Sequence, residues 1–332
     1  MSFSANSIIG HLLLWLIRKC IVDKHLYVIG NGFDIHHNIP SKYYDTRGGD
    51  CFRKWLDEND GDTLCEINDI FGFTTDEWWK NFEENLASVE TLRIAYEDAF
   101  EHYPDFGSDD FRDRDYDEAS IAVKIRLDNV FDNISNAFMR WIGTLPNGND
   151  EKKVRLKTEN GVFITFNYTH TLENLYKISA DKILHIHGDS DTNTLVFGHG
   201  LHYSELRKEM EKYERVEYGD YICQTSKEAA IYSVASHRKR VEKIIEENKQ
   251  WFSQLHDITH IHILGHSLAK VDLPYFHKIM KSCDMSSVFV EISCFDDAAR
   301  ENAMGFLKSL KIDTCNYRLI DLRGLQVYKD YY

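Results

Sequence analysis

The chain has 332 residues, 43% hydrophobic and 13% aromatic, enough for a packed core and too apolar for global disorder. Its formal charge of −15 argues against a stable nucleic-acid partner, because phosphate contacts need clustered Lys and Arg, but leaves room for a nucleotide held by backbone amides. Seven cysteines without a CxxC pair suggest neither a zinc knuckle nor a disulfide framework, and a reducing cytoplasm fits them.

Residues 1–24 read as an N-terminal helical extension. Ile8 to Ile17 is apolar, but the run is interrupted by His11 and followed by Arg18 and Lys19. A membrane span needs about twenty apolar residues, and a signal peptide carries its positive charge ahead of the apolar run. An amphipathic or buried helix is expected, with no membrane span.

Leu26 to Ile29 then runs straight into Gly30-Asn31-Gly32, followed by Phe33 and Asp34. A short apolar run ending in small residues is a parallel strand emptying into a tight loop. Glycines there let the backbone approach a ligand, and a following helix aims its free N–H groups at phosphate. Asp34 suits either a helix cap or a ribose hydroxyl.

From Cys51 to about Ile142 the spacing is helical. Thr75 is placed to cap a helix carrying Trp78, Phe82 and Leu86. After a charged loop, Ile121, Ile125, Val130, Ile134, Phe138 and Ile142 mark one long amphipathic helix. LPNGND closes the segment with turn chemistry. Residues 51–154 are therefore expected to be a helical insertion whose aromatic stripe is core.

Beyond Gly161 strands and helices alternate. Val162–Phe166 ends at Asn167, KILHIHGD ends at His187-Gly188, and TLVFGHG ends at Gly198-His199-Gly200. A helical stretch follows, then ITHIHIL ends at Gly265-His266-Ser267-Leu268 with Asp272 beyond, and SSVFVEIS repeats the pattern. Such alternation implies right-handed crossovers and a Rossmann-like parallel sheet, an α/β core made of residues 25–50 and 155–332. Ligands sit beyond the carboxyl ends of such strands, which puts Asn31, Asn167, His187, His199 and Ser267 on one rim.

Four strand-end motifs occur in order: GNGFD at 30–34, FNYTHTLE at 166–173, HIHG at 185–188 and GHSL at 265–268. Their order resembles the sirtuin-type NAD-binding fold. More closely, IGNGFDIHHNIPSKYYD, ITFNYTHTLENLY, IHIHG, FGHG and GHSL with Val271-Asp272 look like the bacteriophage abortive-infection AbiH family, known for phage defence at the expense of the host cell. The resemblance implies that Gly30, Asn31, Gly32, Phe33, Asp34, Gly188, Gly265, His266 and Ser267 hold NAD, and that Asn167 and His187 are catalytic. Asn167 donates and accepts, so it can fix water or ribose, and a histidine can titrate near working pH as a general base. Two departures stand out: Asn38 replaces a glycine before Pro40, and Thr169-His170 replaces the acidic position of the sirtuin pattern. With no Cys-x-x-Cys zinc module, hydrolysis of NAD to nicotinamide and ADP-ribose fits better than protein deacylation.

The expected function is thus that of an NAD glycohydrolase acting in abortive infection, with NAD as substrate and no metal. A phage-derived trigger and a second copy of the chain stand as partners. Two alternatives remain open from the residues. His185 and His187, two apart on a strand, share a face as metal ligands would, and with Asp34 and Asp189 they suggest a metal-dependent nuclease or hydrolase stopped by EDTA. His36-His37, His199 with His202, and His260 with His262 are further pairs, each also explicable by one histidine bonded to a backbone carbonyl. The other alternative is a non-catalytic nucleotide-binding sensor acting through a partner. No GxSxG and no GxxxxGK[ST] occurs.

Overall fold

The computed structural model describes residues 23–325 except 73, 193–194, 214–219, 311 and 313–315. The apolar run at 8–17 lies outside them. Six strands form one sheet: β1 (His25–Ile29), β2 (Gly161–Thr165), β3 (Ile183–His185), β4 (His260–Leu264), β5 (Phe289–Ser293) and β6 (Tyr317–Ile320). The order is β3-β2-β1-β4-β5-β6 and every pairing is parallel. That is the doubly wound order of dinucleotide-binding sheets, with the chain reversing direction between β1 and β4. His25 lies level with both Gly161 and His260, so β1, β2 and β4 end flush at Ile29, Thr165 and Leu264. The loops after β1 and β4 therefore leave side by side.

The helices are α1 (Asn31–His36), α2 (Phe52–Asn59), α3 (Gly61–Phe71), α4 (Asp76–Lys80), α5 (Phe82–Asn85), α6 (Thr91–Glu101), α7 (Glu118–Ile142), α8 (Thr171–Tyr176), α9 (Tyr203–Tyr213), α10 (Tyr221–Ser236), α11 (Val241–Glu247), α12 (Lys249–Ser253), α13 (Leu273–Ser282) and α14 (Asp297–Ser309). β1 is buried along its whole length, as a central parallel strand must be. Leu26 and Val28 pack on one side with Ile261, Phe252 and Phe276. Tyr27 and Ile29 pack on the other with Phe33, Phe163 and Leu172. The expected parallel α/β sheet with a helical insertion is what the chain forms.

Inside the insertion, Thr75 caps α4 by accepting from the Trp78 N–H at 3.2 Å. The expected single helix breaks at Asn81 into α4 and α5; Phe82 and Leu86 reach the core as expected, but Trp79 is the buried tryptophan and Trp78 is only partly buried. The long helix α7 is present, but its stripe starts in a different phase. Ile121 and Ile125 are both 54% exposed, while Ala119, Val123 and Leu127 face inward. The helix is apolar on more than one side, and packing against α6 and α10 selects the face. Ile231 and Val234 of α10 sit in one core with Phe52, Phe138 and Trp141, so the helical unit draws on two chain segments where the sequence suggested one.

Of TLVFGHG, the described residues 195–200 form no strand, and Gly198 turns the chain there at φ +124. β6 escaped the sequence reading because an ion pair anchors it: Arg318 Nε donates to Glu291 Oε1 at 3.0 Å. Glu291 continues to His262 at 2.9 Å, and His262 to His25 at 2.9 Å. Among the described residues no helix is long and apolar enough to cross a membrane.

Candidate functional site

At the chain reversal the two glycine loops clasp each other. Gly30 N–H donates to Leu264 O at 3.0 Å and Gly32 N–H to Gly265 O at 2.7 Å. A Cβ on Gly30 would lie 2.6 Å from the His266 Cα, and one on Gly32 would lie 2.9 Å from the Gly265 Cα. Backbone crowding alone thus demands these glycines, whatever else they do. Asn31 is exposed and its side chain donates to Ser41 O at 2.8 Å, while Phe33 is buried beneath the loop. Asn38 adopts φ 63, a left-handed conformation that asparagine tolerates in place of glycine.

Asp34 is fully buried. It is not the helix cap, since Gly30 holds that position. Its carboxylate accepts from the hydroxyls of Thr169 and Thr171, the latter at 2.7 Å. Burial pushes its pKa up, and hydrogen bonds from Thr169, Thr171 and Asn167 pull it back. This explains Thr169: an acid at that position would face Asp34 across a buried gap with no cation between them.

Asn167 leaves the end of β2 with its amide donating to Gly30 O at 3.2 Å, and its Oδ1 is buried with no hydrogen-bond partner. His187, just past β3, packs its ring against Phe166 at 5.1 Å and Tyr275 at 5.6 Å. The Phe166 carbonyl takes a ring hydrogen bond, while Nε2 has no hydrogen-bond partner and lies 3.8 Å from Asp272 Oδ1. His266 accepts at Nδ1 from Leu268 N–H at 2.9 Å and places Nε2 3.7 Å from Asp272 Oδ2. Asp272 is 3.4 Å from the Lys239 ammonium, which in turn reaches Glu83 Oε2 at 2.8 Å. Glu83 also accepts from the Tyr43 hydroxyl and from Gly198 N–H.

A polar cluster therefore closes the rim: His187, His266, Asp272 and Lys239 with buried side chains, and Glu83 and Tyr43 partly buried. Burial lowers the pKa of Lys239, but Asp272 and Glu83 outweigh it and hold the group above its ordinary value. Burial, the Lys239 charge and His266 drive His187 well below its ordinary value, so it is neutral here rather than poised near working pH. Burial and Lys239 push His266 down to about 3. The unpartnered Tyr275 hydroxyl is buried beside His187.

Gly188 turns at φ +79 beyond His187, and Ser267 is exposed on the loop after β4. His199 follows no strand and so does not belong to the expected rim; it is bonded to Val234 O at 3.0 Å and to Leu201 N–H at 3.1 Å, a structural role. His37 likewise binds Phe33 O and the Tyr176 hydroxyl, each at 2.7 Å. His185 and His187 do not converge: His185 bonds Glu173, His187 faces Asp272, and Asp34 bonds threonines rather than meeting Asp189. β3 ends at His185, so the strand alternation that would have aligned the pair stops there. Lys239, Glu83 and Tyr43 were not singled out from the sequence. Lys239 stands in HRKR, which reads as a solvated basic run.

Lys239→Met is expected to cost about 3–5 kcal/mol, because it leaves buried Asp272 and partly buried Glu83 without their shared cation. Urea denaturation measures it, and a loss below about 1 kcal/mol would show that the triad is not held as described.

Acid should destabilise the fold through its buried neutral histidines. Burial pushes His37 and His199 down to about 4 and His266 to about 3, from an ordinary 6.5. Between those values the unfolded chain binds protons that the folded chain refuses, so stability is full above pH 6.5 and falls as pH drops toward 4. The urea midpoint is expected to decline over that window, and a flat profile would contradict it.

The sequence model of the family described as Bacteriophage abortive infection AbiH matches residues 26–293, from the second residue of β1 to the last of β5. No curated protein matches the chain.

Proposed function

This chain belongs to the bacteriophage abortive infection AbiH family, and from that premise we propose that its defence chemistry is the hydrolysis of NAD to nicotinamide and ADP-ribose. One observation carries the reading. Beyond the carboxyl ends of a parallel sheet in dinucleotide-binding order, Asn167 Oδ1, His187 Nε2 and the Tyr275 hydroxyl are buried polar atoms without hydrogen-bond partners. Unpaired atoms of this kind cost about 1–3 kcal/mol each, a cost that a bound polar ligand removes.

In this reading the loops at 30–34 and 265–267, with Gly188, border the dinucleotide through their exposed residues Asn31 and Ser267, buried Phe33 and Asp34 hold the first loop in place, and Asn167 orients the ribose. Water adds its oxygen to the ribose C1′ as the bond to nicotinamide breaks. Nicotinamide leaves neutral, and the water proton passes to His187 Nε2 once opening of the site relieves the burial and the Lys239 charge that hold it non-basic in this structure. Asp272 then stabilises the imidazolium. Glu83 comes from α5 of the helical insertion and covers Lys239. A phage-derived trigger that moves α5 opens the site and frees Lys239 to meet the pyrophosphate, so activity is latent until infection. The reaction draws on the cytoplasmic NAD pool.

The test is nicotinamide release by the full chain incubated with NAD, with and without extract of phage-infected cells. Binding without release under either condition supports a sensor acting through a partner, and overturns hydrolysis.

A further inference from the structure

His170 and Glu173 lie three residues apart at the start of α8, so they share one face. His185, the last residue of β3, comes up against that face. The ligand atoms of all three lie within 4.8 Å of one another. Glu173 Oε1 is 2.8 Å from His185 Nε2 and 3.3 Å from His170 Nδ1. Ligands at about 2.1 Å from a tetrahedral zinc stand about 3.4 Å apart, so small shifts of the side chains convert this hydrogen-bonded trio into a coordination set.

Two further observations point the same way. Glu173 Oε2 is buried with no hydrogen-bond partner, so the two histidines leave one oxygen of the carboxylate unsatisfied. On the far side of His170, buried Nε2 makes no hydrogen bond but lies 3.2 Å from Oδ2 of the exposed Asp191 side chain and 4.0 Å from Asp189 Oδ1, within reach of a small rotation of Asp191. A carboxylate behind a liganding imidazole is the arrangement that orients metal-binding histidines.

We propose that His170 Nδ1, Glu173 Oε1 and His185 Nε2 bind one zinc ion, with water in the fourth position and Asp191 supporting His170. Two imidazoles and a carboxylate favour zinc over magnesium or calcium, which take oxygen ligands. The ion fastens α8 to the three-residue edge strand β3. It thereby fixes the spacing of the loops that carry Asn167 and His187. The site shares no residue with the Lys239 cluster, and the proposal does not depend on NAD chemistry.

The test strips the full chain with EDTA, restores zinc chloride and counts zinc per chain by mass spectrometry, with the melting temperature as a second readout. One zinc per chain is expected at micromolar zinc, with a rise in melting temperature. His170→Ala with His185→Ala should abolish both. His260→Ala is the control for the other cluster, Asp23, His25 and His260, and should leave zinc uptake unchanged. Glu173→Gln, checked for native circular dichroism, should weaken zinc binding at least about tenfold. No zinc uptake by the wild-type chain, or unchanged affinity in Glu173→Gln, would overturn the site whether or not NAD is consumed.

Discussion

Gly265→Ala is expected to leave little native protein at 37 °C, a loss above about 4 kcal/mol against the 5–15 kcal/mol typical of a domain. Two independent terms add. Gly265 has φ +69, where an L-residue costs about 1–2 kcal/mol. Its Cβ would also press on the Phe33 amide and lie 2.5 Å from the Gly32 carbonyl carbon. These are backbone atoms, so no side chain can swing away. Relief requires the two loops to part, which breaks the 2.7 Å bond from Gly32 to Gly265 and lifts Phe33 from its core. Gly305 of α14 supplies the contrast, because nothing lies within 4 Å of its Cβ position. Gly305→Ala is expected to stabilise by roughly 0.5–1 kcal/mol through helix propensity. Urea melts of the two variants should move in opposite directions. A Gly265→Ala protein as stable as wild type would mean the loops are not clasped.

His187→Ala is expected to lower NAD turnover about 10²–10⁴-fold, the range for removal of a general base. Asn167→Ala should lower it about 10²–10³-fold, as for loss of one oriented polar group in a water-excluded site. Both residues are buried, so melting temperatures must accompany the rates. The distinguishing readout is kcat at saturating NAD in variants that remain folded. A positional role for Asn167 raises KM as well, whereas loss of the base at His187 falls on kcat. Folded variants that retain wild-type kcat would remove these two residues from the chemistry.

The sheet was legible because each central strand is an apolar run punctuated by a small or polar residue: Ile29 before Gly30, Phe166 before Asn167, Leu264 before Gly265. The order of those punctuations also carried the family. Other features were decided by packing that local patterns do not encode. Ile121 with Ile125 and Val123 with Leu127 are equally spaced stripes on α7, and only the neighbouring helices select the second. Lys239 looks solvated in HRKR, and it becomes buried because Glu83 from one segment and Asp272 from another meet it. Glycine identity at 30, 32 and 265 was readable. That these glycines touch each other was not, since close approach to a ligand and close approach to a neighbouring loop ask for the same residue. His185 and His187 were paired by strand alternation, and the strand's end at His185 sends them to different partners.

The most direct test of the account is nicotinamide release from NAD by the purified full chain in extract from phage-infected cells, run beside folded His187→Ala protein. Release by the wild type and its near-complete loss in the variant is the predicted result. No release by the wild type, or equal release by both, would contradict it.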